Sequence, residues 1–248
     1  LVGLAQWTSG DLETAYHSFS DGVARLRMTG DVIQSTSGAF ILASIRMAQG
    51  RLHAAMRLFE EALELALSAG DPAPPPTADL YVGLSETRYA RGELEAARQA
   101  LLRSKQVEYQ GWISDNRHRW PMAMARLKAA EGDLEGALGL LDEAERLYLP
   151  SPDPNVRPVA AVKARVWLKQ GRLTEAVQWA HGRGLSANDD LSYLHEFEHI
   201  TLARVLIAQF ERAGQASAID QAHALLARLL KAAEAGGRAG SVIEIRLL

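Results

Sequence analysis

Gly50-Arg51-Leu52, followed by Ala55, is one copy of a short pattern that recurs along this chain and determines its fold. Five copies of glycine, a charged residue, leucine and then alanine follow one another at a nearly constant spacing. They begin at Gly10, Gly50, Gly92, Gly132 and Gly171, and a looser sixth copy begins at Gly214. A repeat of this length is typical of a solenoid, whose units are each too small to bury their apolar face alone.

Each unit is predicted to contain two helices joined at the glycine. In the second copy Ala55, Phe59, Ala62 and Leu63 have the spacing of an amphipathic helix. The glycine supplies the positive φ that ends one helix, and the following residues start the next. We therefore predict an all-α superhelical solenoid of about six tetratricopeptide-like hairpins, with helix A before each glycine, helix B after it and no β-sheet.

Longer breaks rich in glycine and proline follow the B helices, at 30–31, 70–76, 111–116, 150–155 and 236–237. Proline and glycine stop helices there for steric reasons. Because the repeat period continues through these breaks, we expect a single repeat domain over residues 1–248. The chain starts without methionine and ends inside a predicted helix, so we expect it to be a fragment of a longer multidomain protein.

Composition limits the possible partners. The net charge of −3 is spread along the chain, and no basic run suggests direct contact with nucleic acid. No apolar stretch reaches the ~18 residues of a membrane span, and no signal peptide is visible. The absence of cysteine excludes disulfides and thiolate metal sites and fits a reducing compartment. We expect a cytoplasmic protein that does not contact membranes.

The B helices resemble those of tetratricopeptide repeats, because Ala55-Phe59-Ala62 and Ala137-Leu141-Ala144 share that family's spacing of alanine, large apolar and small residues. The step of about 40 residues is longer than that family's usual 34. This longer step resembles the helical-repeat region of MalT-type regulators, the large ATP-binding LuxR-family transcriptional regulators. Three stretches also carry the resemblance, namely Asn116–Trp120, Asn155–Pro158 and the strings between Arg183 and Val205.

The resemblance implies a bacterial sensor segment that binds an inducer or a regulatory protein. Such a segment would pass its signal to an ATPase domain and a DNA-binding helix-turn-helix domain of the same full-length chain. Residues 1–248 contain neither a phosphate-binding loop nor a basic recognition helix, so we expect both domains to lie outside them. We predict no enzymatic activity and no cofactor. The alternative is a peptide- or protein-binding scaffold without a small-molecule ligand.

One stretch imitates a metal site. His195-Glu196-Phe197-Glu198-His199 matches His-Glu-x-x-His, a spacing that places two imidazoles on one helical face around zinc. The charged Glu198, the lack of a third histidine downstream and the position on a repeat helix favour a structural or partner-facing cluster. We therefore expect no metal and keep a zinc hydrolase as a remote alternative.

Arg126, Arg165 and Arg204 recur at equal steps, one on each of three successive A helices. Equivalent positions on packed neighbouring helices lie about 8–10 Å apart. We therefore predict an arginine ladder along the groove of the A helices, where guanidinium groups would favour an anion or a polyol. Structural pairing remains open, because Glu86 occupies the equivalent place one repeat before Arg126 and could form a salt bridge with it.

Aromatic residues accompany the predicted ladder. Trp120, beside Arg119, opens helix A of the fourth repeat, and Tyr193 begins that of the sixth. Aromatic faces stack on sugar rings and flat apolar ligands, although tryptophan in a repeat also serves packing. The predicted ligand- or partner-binding residues are Arg119, Trp120, Arg126, Arg165, Arg204 and Tyr193. The residues do not identify the inducer.

Overall fold

The computed structural model describes residues 2–70, 73–107, 117–150 and 153–248, and these residues contain helices and no strands. The α-helices are α1 (Val2–Ser9), α2 (Leu12–Met28), α3 (Val32–Ala48), α4 (Leu52–Ser68), α5 (Thr77–Ala90), α6 (Leu94–Val107), α7 (Arg119–Ala130), α8 (Leu134–Leu147), α9 (Val159–Lys169), α10 (Leu173–Gly182), α11 (Glu196–Ala213), α12 (Ala216–Ala235) and α13 (Ala239–Arg246). A short 3-10 helix, Tyr193–His195, precedes α11. The predicted all-α fold class is confirmed.

The six predicted turns join the helices in pairs, from α1 with α2 to α11 with α12. All six turn glycines have a positive φ, between 65° and 89°. At the least regular turn, Gly214 ends α11 in the left-handed conformation, and its N–H donates to the carbonyl oxygen of Phe210 at 2.8 Å. The local rule that a left-handed residue ends a helix therefore holds in all six repeats.

The repeat alanine of helix B is buried in every hairpin. Its six copies have no solvent exposure and are Ala15, Ala55, Ala97, Ala137, Ala176 and Ala222. Close approach also excludes a side chain at Gly83 of α5, because a Cβ atom there would lie 2.3 Å from Cζ of the buried Phe59. Small residues at these positions let each apolar face pack on its neighbours.

The chain divides into two compact units. The first comprises residues 1–7 and 11–152, and the second comprises residues 8–10 and 153–248. The core of the second unit brings together apolar side chains of α9–α13, including the fully buried Leu225 of α12. The expectation of a single domain over 1–248 stays a prediction.

Four of the five predicted breaks lie at least partly within the described residues. The breaks at 30–31, 70–76, 150–155 and 236–237 fall between helices where they are described, whereas 111–116 lies outside the described residues.

Among the helices in the described ranges, none is long and apolar enough to cross a membrane.

Candidate functional site

Arg165 and Arg204, two of the predicted ladder residues, come together in the second unit. They project from α9 and α11 and bind the same carboxylate oxygen, Oε1 of Glu244 on α13. The Nη1 atom of Arg165 lies 2.7 Å from this oxygen, and the Nη2 atom of Arg204 lies 3.1 Å from it. Two positive groups therefore share one negative group across three helices.

Three contacts with α11 orient the guanidinium group of Arg165. Its Nε donates to the hydroxyl of Thr201 at 2.7 Å, and its Nη2 donates to the carbonyl oxygen of Phe197 at 3.4 Å. Its Cζ lies 3.6 Å from the centre of the Phe197 ring, within the range of a cation–π interaction. These contacts leave the Arg165 side chain 20% exposed.

The partial burial of Arg165 and the charges around it change the pKa of its guanidinium group. Burial lowers the pKa of Arg165 to about 10, Glu244 opposes the shift, and the charges of Arg204 and Arg157 add to it. Arg165 still carries its charge at neutral pH. Its surroundings therefore hold two further guanidinium groups and one carboxylate, an arrangement that favours additional negative charge.

A buried ion pair fixes the beginning of α13. Arg238, just before the helix, places Nη2 at 2.6 Å and Nε at 2.7 Å from Oε2 of Glu196 on α11. The hydroxyl of Ser241 donates to the other oxygen of Glu196 at 2.6 Å. The side chains of Arg238 and Glu196 are only 8% and 7% exposed, so water solvates them little. Each charge is therefore stabilised mainly by the opposite charge of its partner.

The His-Glu-x-x-His stretch is engaged in contacts within the second unit. Glu196 holds Arg238, while the buried Glu198 accepts from Nε of Arg183 at 2.9 Å. The ring of His199 contacts the carbonyl oxygen of His195 through Nδ1 at 3.0 Å, and its Nε2 lies 3.2 Å from Asp189. Within the described residues, no three histidine, aspartate or glutamate side chains are placed to hold a metal ion.

In the first unit, Arg119 at the start of α7 lies between two neighbouring A helices. It forms an ion pair with Glu86 of α5, and its Cζ lies 4.4 Å from the ring centre of Phe40 on α3. The partner suggested for Arg126, Glu86, is thus bound to Arg119. The Cζ atom of Arg126 lies 4.4 Å from the ring centre of Tyr89.

Trp120 and Tyr193 serve packing in their respective units. The indole N–H of Trp120 donates to the carbonyl oxygen of Leu101 at 3.0 Å, and Lys105 lies 4.1 Å above the ring. Tyr193 is buried in the second unit, with the guanidinium of Arg238 at 5.6 Å from its ring centre. The Trp120 side chain is half-buried, and its role in binding stays a prediction.

The structure thus separates the predicted residues into two groups. Arg165, Arg204 and Tyr193 belong to the second unit, whereas Arg119, Trp120 and Arg126 belong to the first. Sequence reasoning missed Glu244, although a signal existed, since Glu244 follows Arg204 by one further repeat step and so continues the ladder. It also missed the stacking of Arg165 on Phe197.

Two clefts of the first unit contain none of the predicted residues. One, of about 340 Å³, lies between α2, α3 and α4. The other, of about 520 Å³, lies between α4, α5 and α6 and has an apolar floor that includes Leu63 and Leu84. Its walls carry opposite charges, with Glu60 and Glu64 on α4 facing Arg88 and Arg103. Both clefts could accept a segment of a partner protein.

Comparison with solved structures shows the fold. The chain is similar to the Rap protein complexed with Competence and Sporulation Factor, at 14% identity and a TM-score of 0.65, over 98% of this chain and 72% of Rap. It is similar to BtubC from P. vanneervenii, at 17% identity and a TM-score of 0.55, over 90% and 91% of the two chains. PilF from Pseudomonas aeruginosa matches at 19% identity and a TM-score of 0.51, over 93% and 88%.

No curated protein sequence matches the chain significantly. The family model described as the MalT-like TPR region matches residues 1–248. This match covers every repeat described above and agrees with the resemblance found in the sequence. The chain therefore belongs to the MalT-like TPR region family.

Proposed function

We propose that this chain is the sensor and interaction segment of a bacterial LuxR/MalT-type transcriptional regulator. It binds an inducer or a regulatory protein on the surface of its A helices and passes the signal to ATPase and DNA-binding domains of the full-length chain. Membership of the MalT-like TPR region family over residues 1–248 supports the regulator part of this proposal. Signalling follows from a population shift, because a ligand that prefers one arrangement of the repeats favours that arrangement.

The binding part rests on one observation, the recurrence of arginine stacked on an aromatic ring along the A helices. Arg119 lies over Phe40, Arg126 over Tyr89 and Arg165 over Phe197. Each pair places a fork of N–H donors beside an apolar face. This combination suits a polyol or an anion, which needs several donors, and also an acidic side chain of a partner protein.

A second candidate is a protein-binding scaffold without a small-molecule ligand. The cleft between α4 and α6 favours it, since an apolar floor between oppositely charged walls suits an amphipathic protein segment. The Rap protein, which shares the fold, is complexed with Competence and Sporulation Factor. Both candidates agree on the coarser role, a helical-repeat interaction scaffold.

A thermal-shift screen tests the inducer. The purified chain is heated with a defined panel of mono- and oligosaccharides and their phosphates, and we expect at least one compound to raise the melting temperature. Arg119→Gln or Arg126→Gln should reduce the shift, whereas Arg25→Gln, an exposed position on helix B of the first repeat, should not. The compound should also change ATP hydrolysis by the full-length regulator.

Two results would count against the proposal. A panel without any binder would reject the neutral or phosphorylated sugar inducer and favour the scaffold. A binder that is weakened equally by the Arg25 and Arg119 variants would place the site elsewhere than on the A helices.

A further inference from the structure

Glu244 occupies the ladder position of a further A helix. It follows Arg204 by one repeat step, as Arg204 follows Arg165, so α13 repeats the placement of α9 and α11. In place of a fourth arginine, this position provides a carboxylate that accepts from Arg165 and Arg204. The acidic side chain therefore occupies the place at which two guanidinium groups converge.

The two halves of α13 are held by different contacts. At the start, the buried pair of Arg238 and Glu196 and the hydroxyl of Ser241 fix the backbone to α11. In the second half, Ile245 packs in the core at 5% exposure and Arg246 pairs with Glu234 of α12, while Ile243 is 62% exposed. Glu244 itself is 27% exposed. One buried apolar side chain and exposed ion pairs hold this half, so it can open locally while the start of α13 stays in place.

We propose that Arg165 and Arg204 form a binding site for an anionic group, a carboxylate or a phosphate, and that Glu244 fills this site in the free chain. Binding of the anion displaces Glu244 and releases the second half of α13, which thereby acts as a latch. The inference rests on the proposed function, since it names the ligand class and the regulation of the A-helix surface in the second unit.

The geometry at Arg165 supports an anion as the ligand. Thr201 and the Phe197 ring hold the guanidinium by its Nε and its face, which leaves Nη1 directed at the carboxylate. Guanidinium groups bind carboxylate and phosphate through paired N–H donors, and two such groups can share one anion. An anion with more oxygens than Glu244 would use donors that the single shared oxygen leaves unused.

Competition by Glu244 sets the size of the expected effect. For a ligand that binds only the open site, the apparent dissociation constant equals the intrinsic dissociation constant divided by the open fraction. A latch that is closed about 90–99% of the time therefore weakens binding about 10- to 100-fold. Glu244→Gln keeps the shape of the side chain and removes its charge. We expect this variant to bind anions at least about tenfold more tightly than the unmodified chain.

Isothermal titration calorimetry with citrate and with inorganic phosphate, each at matched ionic strength, measures this effect. The matched control is Glu211→Gln, which removes the same charge from an exposed position near the end of α11. We expect tighter binding in the Glu244 variant, unchanged binding in the control and loss of binding in the double variant Arg165→Gln/Glu244→Gln. Citrate and phosphate separate a carboxylate ligand from a phosphate ligand.

Hydrogen exchange on the unmodified chain tests the latch without a variant. Saturating citrate or phosphate should speed the exchange of amides 241–248 and leave those of 222–229 unchanged. Equal binding by the Glu244 and Glu211 variants, or anion binding without faster exchange in α13, would overturn the latch. If the latch is overturned, a neutral inducer found in the sugar panel would still support the proposed function. If no compound of the panel binds, binding of citrate or phosphate would support the latch without the proposed inducer.

Discussion

His199 and Asp189 form a side-chain contact of 3.2 Å between Nε2 and Oδ2 that ties α11 to the loop preceding it. The Nδ1 atom of His199 faces the carbonyl oxygen of His195 at 3.0 Å. Both partners of the ring are hydrogen-bond acceptors, and they lie on opposite sides of the imidazole. Asp189 also accepts from the backbone N–H of Ser186 at 2.8 Å, and the loop is thereby fixed through a buried imidazole.

The Asp189 carboxylate gives the chain a pH-dependent contribution to stability. The N–H of Ser186 lowers the pKa of Asp189, burial opposes this, and His199 lowers the pKa further. A lowered pKa in the folded state means that this contribution is present above the unfolded pKa of about 3.9 and is lost as the pH falls through the folded value. In urea unfolding between pH 6 and pH 3, Asp189→Asn should therefore lose less stability on acidification than the unmodified chain. Asp190→Asn, at the exposed neighbouring position, should behave like the unmodified chain, and equal slopes for all three chains would contradict the prediction.

We expect no stoichiometric zinc. The ring of His199 is engaged at both nitrogens, so zinc would have to displace Asp189 or the carbonyl oxygen of His195. Glu196, the base of such a motif, is held by Arg238 and Ser241. Elemental analysis after dialysis into buffer with trace zinc checks this. One zinc per chain that disappears in His195→Ala would show that the His-Glu-x-x-His stretch is a metal site.

Two glycines inside helices should respond in opposite ways to substitution by alanine. Gly83→Ala would force a methyl group against the Phe59 ring, and overpacking of this kind costs about 1–3 kcal/mol of unfolding free energy. Gly139 in α8 has open space around its Cβ direction, and Gly139→Ala should stabilise the chain by about 0.5–1 kcal/mol. Chemical denaturation of both variants measures the difference. A neutral or stabilising Gly83→Ala would show that α5 can move away from α4.

Arg165→Ala should lower stability as well as anion binding. Its side chain contacts Thr201, Phe197 and Glu244 in the free chain, so its removal also breaks contacts that stabilise the fold. Loss of a charge-assisted hydrogen-bond network of this kind lowers the free energy of unfolding by about 1–3 kcal/mol. Thermal unfolding of Arg165→Ala beside Arg25→Ala measures the cost, and equal melting temperatures would show that the network is energetically neutral.

The turns and the close contacts between helices could be predicted from sequence because both depend on local chemistry. A left-handed backbone needs glycine, as at Gly50 and Gly171, and close packing of two helices needs a small residue, as at Ala55. Such requirements leave the same residue at the same position in each repeat. The spacing alone therefore indicated the hairpins and the placement of the arginines on A helices.

The partners of the arginines could not be predicted in the same way. A long side chain reaches a neighbour on another helix at several angles, so equivalent repeat positions make different contacts. Glu86 forms an ion pair with Arg119, and Arg165 reaches past α11 to Glu244 on α13. The repeat period determines on which helix a residue lies, whereas the rotamer of its side chain determines which neighbouring residue it contacts.

Packing between helices that follow one another in sequence, described above for each hairpin, also affects how this chain folds. Contacts between neighbouring hairpins close short loops, so little chain entropy is lost before these contacts form. Any hairpin can then act as the nucleus on which the next one assembles. A repeat duplicated or lost during evolution changes the length of such a chain without changing the way the remaining repeats find their structure.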